Sequence, residues 1–199
     1  MDAILRIEGG CLRRDNRTIL SDINISIQRG KVNYILGENG SGKSLLFDII
    51  SGIYKLSEGK LYCEFGKHEI AYMPQEPYVP YTLNVKELVD YYVLLMTGNS
   101  ARCMNVKFHP AMERLLEKAG STRASKCSVG EIKLLISSLL FTLNNAKLFV
   151  LDEPTSGLSA SNRKVFREIV EQNVTQGKTI VVSTHIEEDI ADGCHIIRL

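Results

Sequence analysis

The apolar run Val32-Asn33-Tyr34-Ile35-Leu36 leads straight into Gly37-Glu38-Asn39-Gly40-Ser41-Gly42-Lys43-Ser44, and Leu45, Leu46, Phe47, Ile49 and Ile50 follow at helical spacing. A buried strand, a glycine loop, a Lys-Ser pair and an apolar helix in that order describe a phosphate-binding P-loop. Each residue type has a physical task there. The glycines Gly37, Gly40 and Gly42, with Glu38, Asn39 and Ser41 between them, let the backbone curl and aim successive N–H groups at phosphate oxygens. Lys43 brings a cation to the β- and γ-phosphates, and the Ser44 hydroxyl suits Mg²⁺. The helix that starts here adds the positive end of its dipole. The segment predicts binding of a nucleoside triphosphate.

The rest of the chain must supply a core and a sheet for that loop. At 199 residues it suffices for one domain with an inserted lobe. Hydrophobic content of 44% and charged content of 24% are those of a globular protein. A net charge of +1 gives no field that would draw the whole chain to nucleic acid or an acidic membrane surface. The cysteines Cys11, Cys63, Cys103, Cys127 and Cys194 are widely spaced, without a zinc-like pattern, and read as small apolar residues of a reducing compartment. The N-terminus does not resemble a signal peptide, and no apolar run nears the ~20 residues of a membrane helix. A cytosolic chain is expected.

Ile4 and Ile7, then Ile23, Ile25 and Ile27, alternate with polar residues and predict two antiparallel, half-buried strands with a turn at Arg13 to Arg17. The segment Gly59 to Met73 reads as a hairpin turning near Gly66-Lys67. Pro74, Pro77 and Pro80 mark a boundary. From Val85 to about Asn144 the period is helical: Val85, Leu88, Val89 and Tyr92 share one face, Met112, Leu115, Leu116 and Ala119 another, and a third helix begins near Ser128. Strands return at Ala146 to Leu151, Thr179 to Ser183 and His195 to Leu199, with a helix over Arg163 to Val174. That alternation requires parallel strands with crossover helices. The expected fold is therefore α/β: a P-loop NTPase core with a mainly parallel sheet, an N-terminal antiparallel β subdomain and an inserted helical subdomain. Residues 1–76 and 146–199 would form the core and 77–145 the helical lobe.

Lys147-Leu148-Phe149-Val150-Leu151-Asp152-Glu153 is an apolar strand that ends in two acids. Acids at the carboxyl end of a parallel strand face the crevice where such sheets hold ligands. Asp152 is suited to hold Mg²⁺ and Glu153 to orient and polarise an attacking water.

Taken together, the loop at 37–44 (Walker A), Asp152-Glu153-Pro154, Gln75 in Met73-Pro74-Gln75-Glu76-Pro77, and Thr184-His185 after a strand resemble an ABC-type ATPase, the ATP-binding subunit of an ABC transporter. The likeness runs from about residue 3 to the C-terminus. It implies that Gln75 is the Q-loop glutamine, touching Mg²⁺ or the attacking water, and that His185 is the switch histidine at the γ-phosphate. It also implies a second cassette, identical or different, packed head to tail. Ser128 and Gly130 of one cassette would then close over the ATP held by the other. ATP and Mg²⁺ are the implied cofactors.

Several positions depart from the family pattern. Cys127-Ser128-Val129-Gly130-Glu131 stands where L-S-G-G-Q is usual, and the same residues suit a Ser-capped helix with Glu131 three places on. Ser156-Gly157-Leu158-Ser159 lacks the usual D-loop acid. Leu45 stands where a second hydroxyl is common. Arg14 falls where an aromatic ring would stack on adenine, and a guanidinium can stack on a base as well.

The resemblance further implies a separate transmembrane subunit docking near the Q-loop and the helical lobe. Pro77, Tyr78, Val79, Pro80, Tyr81, Leu83, Tyr91 and Tyr92 offer a surface there or a core. The chain would then be peripheral at the inner face of the cell membrane. Its length resembles compact export systems more than sugar or metal importers. Two alternatives stay open: a non-transport ABC ATPase, for which one cassette without heptads or basic patches argues little, and a weakly active cassette that completes a partner's ATP site.

Overall fold

The computed structural model describes residues 2–15, 17–99, 107–187, 190 and 193–199. Strands β1 (Ala3–Arg14) and β2 (Arg17–Gln28) form the antiparallel pair, running from Ala3↔Gln28 to Arg14↔Arg17 with register shifts on the way. The alternation drives this, since Ile4, Leu5, Ile7, Ile25 and Ile27 are buried while the intervening polar residues face outward. Strand β4 (Glu58–Cys63) adds on the other side of β1, giving the order β2-β1-β4.

A five-stranded sheet has the order β5-β6-β7-β3-β8, with β3 (Val32–Leu36), β5 (Ile70–Met73), β6 (Leu148–Leu151), β7 (Thr179–Thr184) and β8 (His195–Arg198). Its described pairings are all parallel. Strands β3, β6 and β7 are buried along their length, as strands covered on both faces must be. Helix α1 (Lys43–Ile50) follows β3, and Leu46, Phe47, Ile49 and Ile50 lie in one core with Ile7, Ile27, Ile35, Val150 and Val181.

The hairpin expected over Gly59 to Met73 is not formed. Gly66 opens a short 3₁₀ turn at Lys67–Glu69 that carries the chain from one sheet to the other, so β4 pairs with β1 and β5 with β6. The two strands have the composition of a hairpin, but each pairs with a separate sheet, β4 along β1 and β5 along β6.

The described chain divides into two compact units, Met1–Gln75 with Ala146–Glu153 and Gln172–Leu199, and Glu76–Asn145 with Pro154–Glu171. The second unit holds α2 (Val85–Thr97), α3 (Pro110–Ala119) and α4 (Val129–Leu143). Asn84 caps α2 through a reciprocal box with Glu87, and His109 caps α3, where Pro110 fits the first helical position. Helix α4 is apolar nearly all round and buried from Ile132 to Phe141, which makes it the centre of this unit. The mid-helix Ser137 remains compatible with burial because its Oγ donates to the Lys133 carbonyl, and Thr142 Oγ1 near the helix end likewise donates to the Ser138 carbonyl. Val85, Leu88, Val89 and Tyr92 of α2 are buried together, whereas of the α3 face only Met112 is fully covered. Helix α5 (Ala160–Thr175) follows β6 and precedes β7. No described helix is long and apolar enough to cross a membrane.

Candidate nucleotide site

The loop between β3 and α1 is built by its glycines. Gly42, the residue before α1, is left-handed at φ +96°, and a Cβ there would lie 2.3 Å from Leu20 Cδ2. Helix α1 therefore begins without a side-chain cap and without an acid in its first turn. Its leading N–H groups have no side-chain acceptor, the state in which a helix start receives an anion. Ser41 Oγ is buried without a hydrogen-bond partner, and a Cβ on Gly37 would fill the space 2.5 Å from it. Lys43 is buried, its Nζ donating to the carbonyls of Gly37 and Glu38 at 2.8 and 2.9 Å. Ser44 is exposed one residue on. A cation, an unmatched hydroxyl and unpaired donors fit the phosphates of a nucleotide.

Strand β6 delivers Asp152 and Glu153, both buried. The Glu153 carboxylate gathers three groups that are distant in sequence. Gln75 Nε2 donates to its Oε2 at 3.3 Å, His185 Nδ1 lies 3.3 Å from its Oε1, and Lys43 Nζ stands 3.8 Å from the same oxygen. A carboxylate only accepts, so the proton of this contact sits on Nδ1 of His185. Glu153 itself has φ +43°, a left-handed backbone that non-glycine residues seldom adopt.

Ser183, in β7, does not stand out in the sequence, yet its hydroxyl donates to Asp152 Oδ1 at 2.5 Å and accepts the Glu153 N–H at 2.8 Å. The only signal was a hydroxyl near the end of an apolar strand. Two further groups back the site. Burial pushes the Asp48 carboxyl up, opposed by a hydrogen bond from Tyr72 and reinforced by the charge of Asp152. Burial pushes the Tyr72 phenol well above its ordinary value.

Asp152, the Ser44 hydroxyl and the Gln75 amide are hard oxygen donors. With phosphate oxygens, donors of this kind suit Mg²⁺, which takes one or two carboxylates from a protein and little else. Among the described residues no group of three or more His, Cys, Asp or Glu is placed to hold a metal by itself. Cys11, Cys63, Cys127 and Cys194 are not joined in disulfides, and Cys103 lies outside the described residues.

Arg14 ends β1, with its guanidinium 5.4 Å from the Tyr54 ring centroid and Nη1 donating to the Tyr54 hydroxyl at 3.2 Å. An aromatic ring, that of Tyr54, thus lies beside position 14, and sequence spacing gave no reason to select it.

Ser128 and Gly130 lie in the second unit at the start of α4. The Ser128 hydroxyl accepts the Glu131 N–H at 3.1 Å and donates to Glu131 Oε2 at 2.9 Å, while the Ser128 N–H donates to the same carboxylate at 3.0 Å. The capping box is complete. Gly130 is buried against the segment between β6 and α5, where a Cβ would meet the Gly157 carbonyl oxygen at 2.6 Å. Ser159 caps α5, its Oγ accepting the Asn162 N–H. Val129 is 77% exposed. Of the tyrosines after the Q-loop, Tyr92 is buried and donates to the Tyr78 carbonyl, burial pushing its phenol up to about 12, whereas Tyr78 and Tyr81 are exposed.

A family model described as ABC transporter matches residues 20–156, more than half of the chain. Protein McbF of Escherichia coli is 32% identical over 176 residues, covering 86% of this chain and 71% of McbF. The cytochrome c biogenesis ATP-binding export protein CcmA of Reclinomonas americana is 31% identical over 196 residues, covering 92% and 86%. A solved structure described as the ATP-binding subunit of an ABC transporter matches with a TM-score of 0.77 over 98% of this chain and 85% of the other, at 20% identity, a likeness of fold. With its P-loop, its parallel sheet and these relatives, the chain belongs to the ATP-binding cassettes of the ABC transporter family.

Proposed function

We propose that this chain hydrolyses ATP with Mg²⁺ and energises a separate membrane subunit, itself peripheral on the cytoplasmic side. The observation that carries the hydrolytic part is the Glu153 carboxylate, held by Gln75 and His185 on its two oxygens with Lys43 beside it. Phosphoryl transfer depends mostly on positioning and charge neutralisation, and these residues supply both. Lys43 and the loop N–H groups hold the phosphates. Asp152, with Ser44 and Gln75, would hold Mg²⁺, which supplies neutralisation of phosphate charge when bound. Glu153 polarises the attacking water, while Gln75 and His185 fix the carboxylate that does so. Arg14 and Tyr54 form the surface for the base.

Support for a membrane partner comes from the similarity to CcmA, an ATP-binding export protein, and from the exposed Tyr78 and Tyr81 beyond Gln75. Ser128 and Gly130 would act on the ATP of a second cassette. The boundaries 1–76, 77–145 and 146–199 are offered as the working division into core and helical lobe. Steady-state ATPase of the purified chain against Glu153→Gln tests the enzyme, and capture of Glu153→Gln from solubilised native membranes with Mg-ATP tests the partner. A polytopic membrane protein at near-stoichiometric amount supports transport; ribosomes, DNA or soluble proteins alone overturn it.

One observation favours a second reading. The Ser128 hydroxyl is engaged on both its donor and acceptor sides by Glu131, whose carboxylate would repel an incoming phosphate. A cassette of this kind binds ATP, turns over slowly and completes a partner's site. Wild-type turnover no higher than that of Glu153→Gln supports it.

A further inference from the structure

We infer that Ser183 is a positioning residue for turnover, its single hydroxyl joining Asp152 to the backbone of Glu153 so that both acids keep their working geometry. This rests on the hydrolytic reading of the site. A serine hydroxyl has one proton to give and lone pairs to receive. Here the proton goes to Asp152 Oδ1 at 2.5 Å, and a lone pair takes the Glu153 N–H at 2.8 Å. Ser183 is fully buried, as are Asp152 and nearly all of Glu153, so no solvent replaces either bond.

The placement of the bond matters more than its presence. Glu153 is left-handed at φ +43°, a conformation that persists only where surrounding contacts hold it. The Ser183 hydroxyl grips the N–H at the start of that residue. Without it the buried N–H loses its acceptor and the chain relaxes toward ordinary φ. The carboxylate then swings away from Gln75, His185 and Lys43, each of which meets it at 3.3 to 3.8 Å. The same loss frees Asp152 to rotate about its terminal torsion. Ser183 also lies opposite Ile35 in the pairing of β7 with β3, the strand that launches the P-loop, and two residues before His185. One hydroxyl thus registers the acids of β6 against the strands that carry the phosphate loop and the histidine.

Ser183→Ala is compared with wild type in three measurements. ATP affinity in EDTA, read by a fluorescent ATP analogue, should stay within about 2-fold, because the loop is untouched. The Mg²⁺ concentration for half-maximal enhancement of that binding should rise roughly 10-fold, and kcat should fall roughly 10- to 100-fold, the usual cost of losing a partner behind a ligand. In a Glu153→Gln background at saturating Mg²⁺, Ser183→Ala should change residual turnover less than about 2-fold, because the part of its effect that runs through Glu153 is already lost. A lower Tm with unchanged Mg²⁺ dependence and kcat, or fully additive losses in the double variant, overturns the proposal. Should Ser183→Ala not fold, Ser183→Cys, close in size and a weak donor, takes its place. A wild type that binds ATP without turnover overturns the hydrolytic reading instead, while the Mg²⁺ titration still decides whether Ser183 orients Asp152.

Discussion

Lys43 Nζ and Glu153 Oε1 stand 3.8 Å apart, both side chains being almost completely buried. The P-loop cation and the strand-end acid are therefore one electrostatic unit before any phosphate enters. Removing either partner leaves the other charge poorly compensated in a medium of low dielectric. Lys43→Ala should lower ATPase activity by at least roughly 10²-fold, with binding of ATP weakened in parallel. Near-wild-type turnover in a phosphate-release assay would contradict the site.

Glu153→Gln keeps the shape of the side chain but removes the carboxylate proposed as the base. A fall in kcat of roughly 10²- to 10⁴-fold with ATP affinity nearly unchanged is expected. Equilibrium binding beside single-turnover kinetics separates the two, and a matching loss of affinity would mean that Glu153 serves binding rather than chemistry.

Gly130 has no room for a side chain, since a Cβ would sit 2.6 Å from the Gly157 carbonyl. Gly130→Ala forces the start of α4 away from the segment that carries Gly157, a cost of about 1–3 kcal/mol, or roughly 2–4 °C in Tm for each kcal/mol in a chain of this size. Thermal unfolding without nucleotide checks it, so that the effect is read apart from any contact with ATP.

Lys147 Nζ meets Glu69 Oε1 at 2.8 Å and, with the Gly66 N–H, holds the Glu69 carboxyl below its ordinary 4.5. A depressed folded-state pKa contributes stability above the unfolded value and loses it as pH falls through the folded one. The Tm gap between wild type and Glu69→Gln should be open at neutral pH, begin to narrow near 4.5 and close in stronger acid. A gap that widens with acid would reverse the sign and refute the coupling.

The features that could be read from the chain alone were those whose chemistry is local. Residues 37–44 carry loop, cation and hydroxyl in eight consecutive places, and α4 announces itself through Ser128 and Glu131 three positions apart. The parting of β4 from β5 could not be read, because Gly59 to Met73 has two strands and a turn in any arrangement. Which sheets receive them depends on β1 and β6, each more than fifty residues away from one of the pair. Ser183 was hidden for a related reason: a hydroxyl in a buried strand means little until Asp152, 31 residues earlier, is found against it. Tyr54 likewise gains significance only from the Arg14 guanidinium over its ring. Ser128 shows the opposite case, where one pattern supports a helix cap and a phosphate contact alike and geometry displays only the cap.

The left-handed backbone at Glu153 sets folding and chemistry at odds at a single codon. Glycine occupies that region freely and asparagine more readily than glutamate, so drift toward either would relax the chain while abolishing the base. The same drift would also leave the buried Lys43 cation without its carboxylate, so a gain in backbone comfort at this position is offset by a loss in charge pairing.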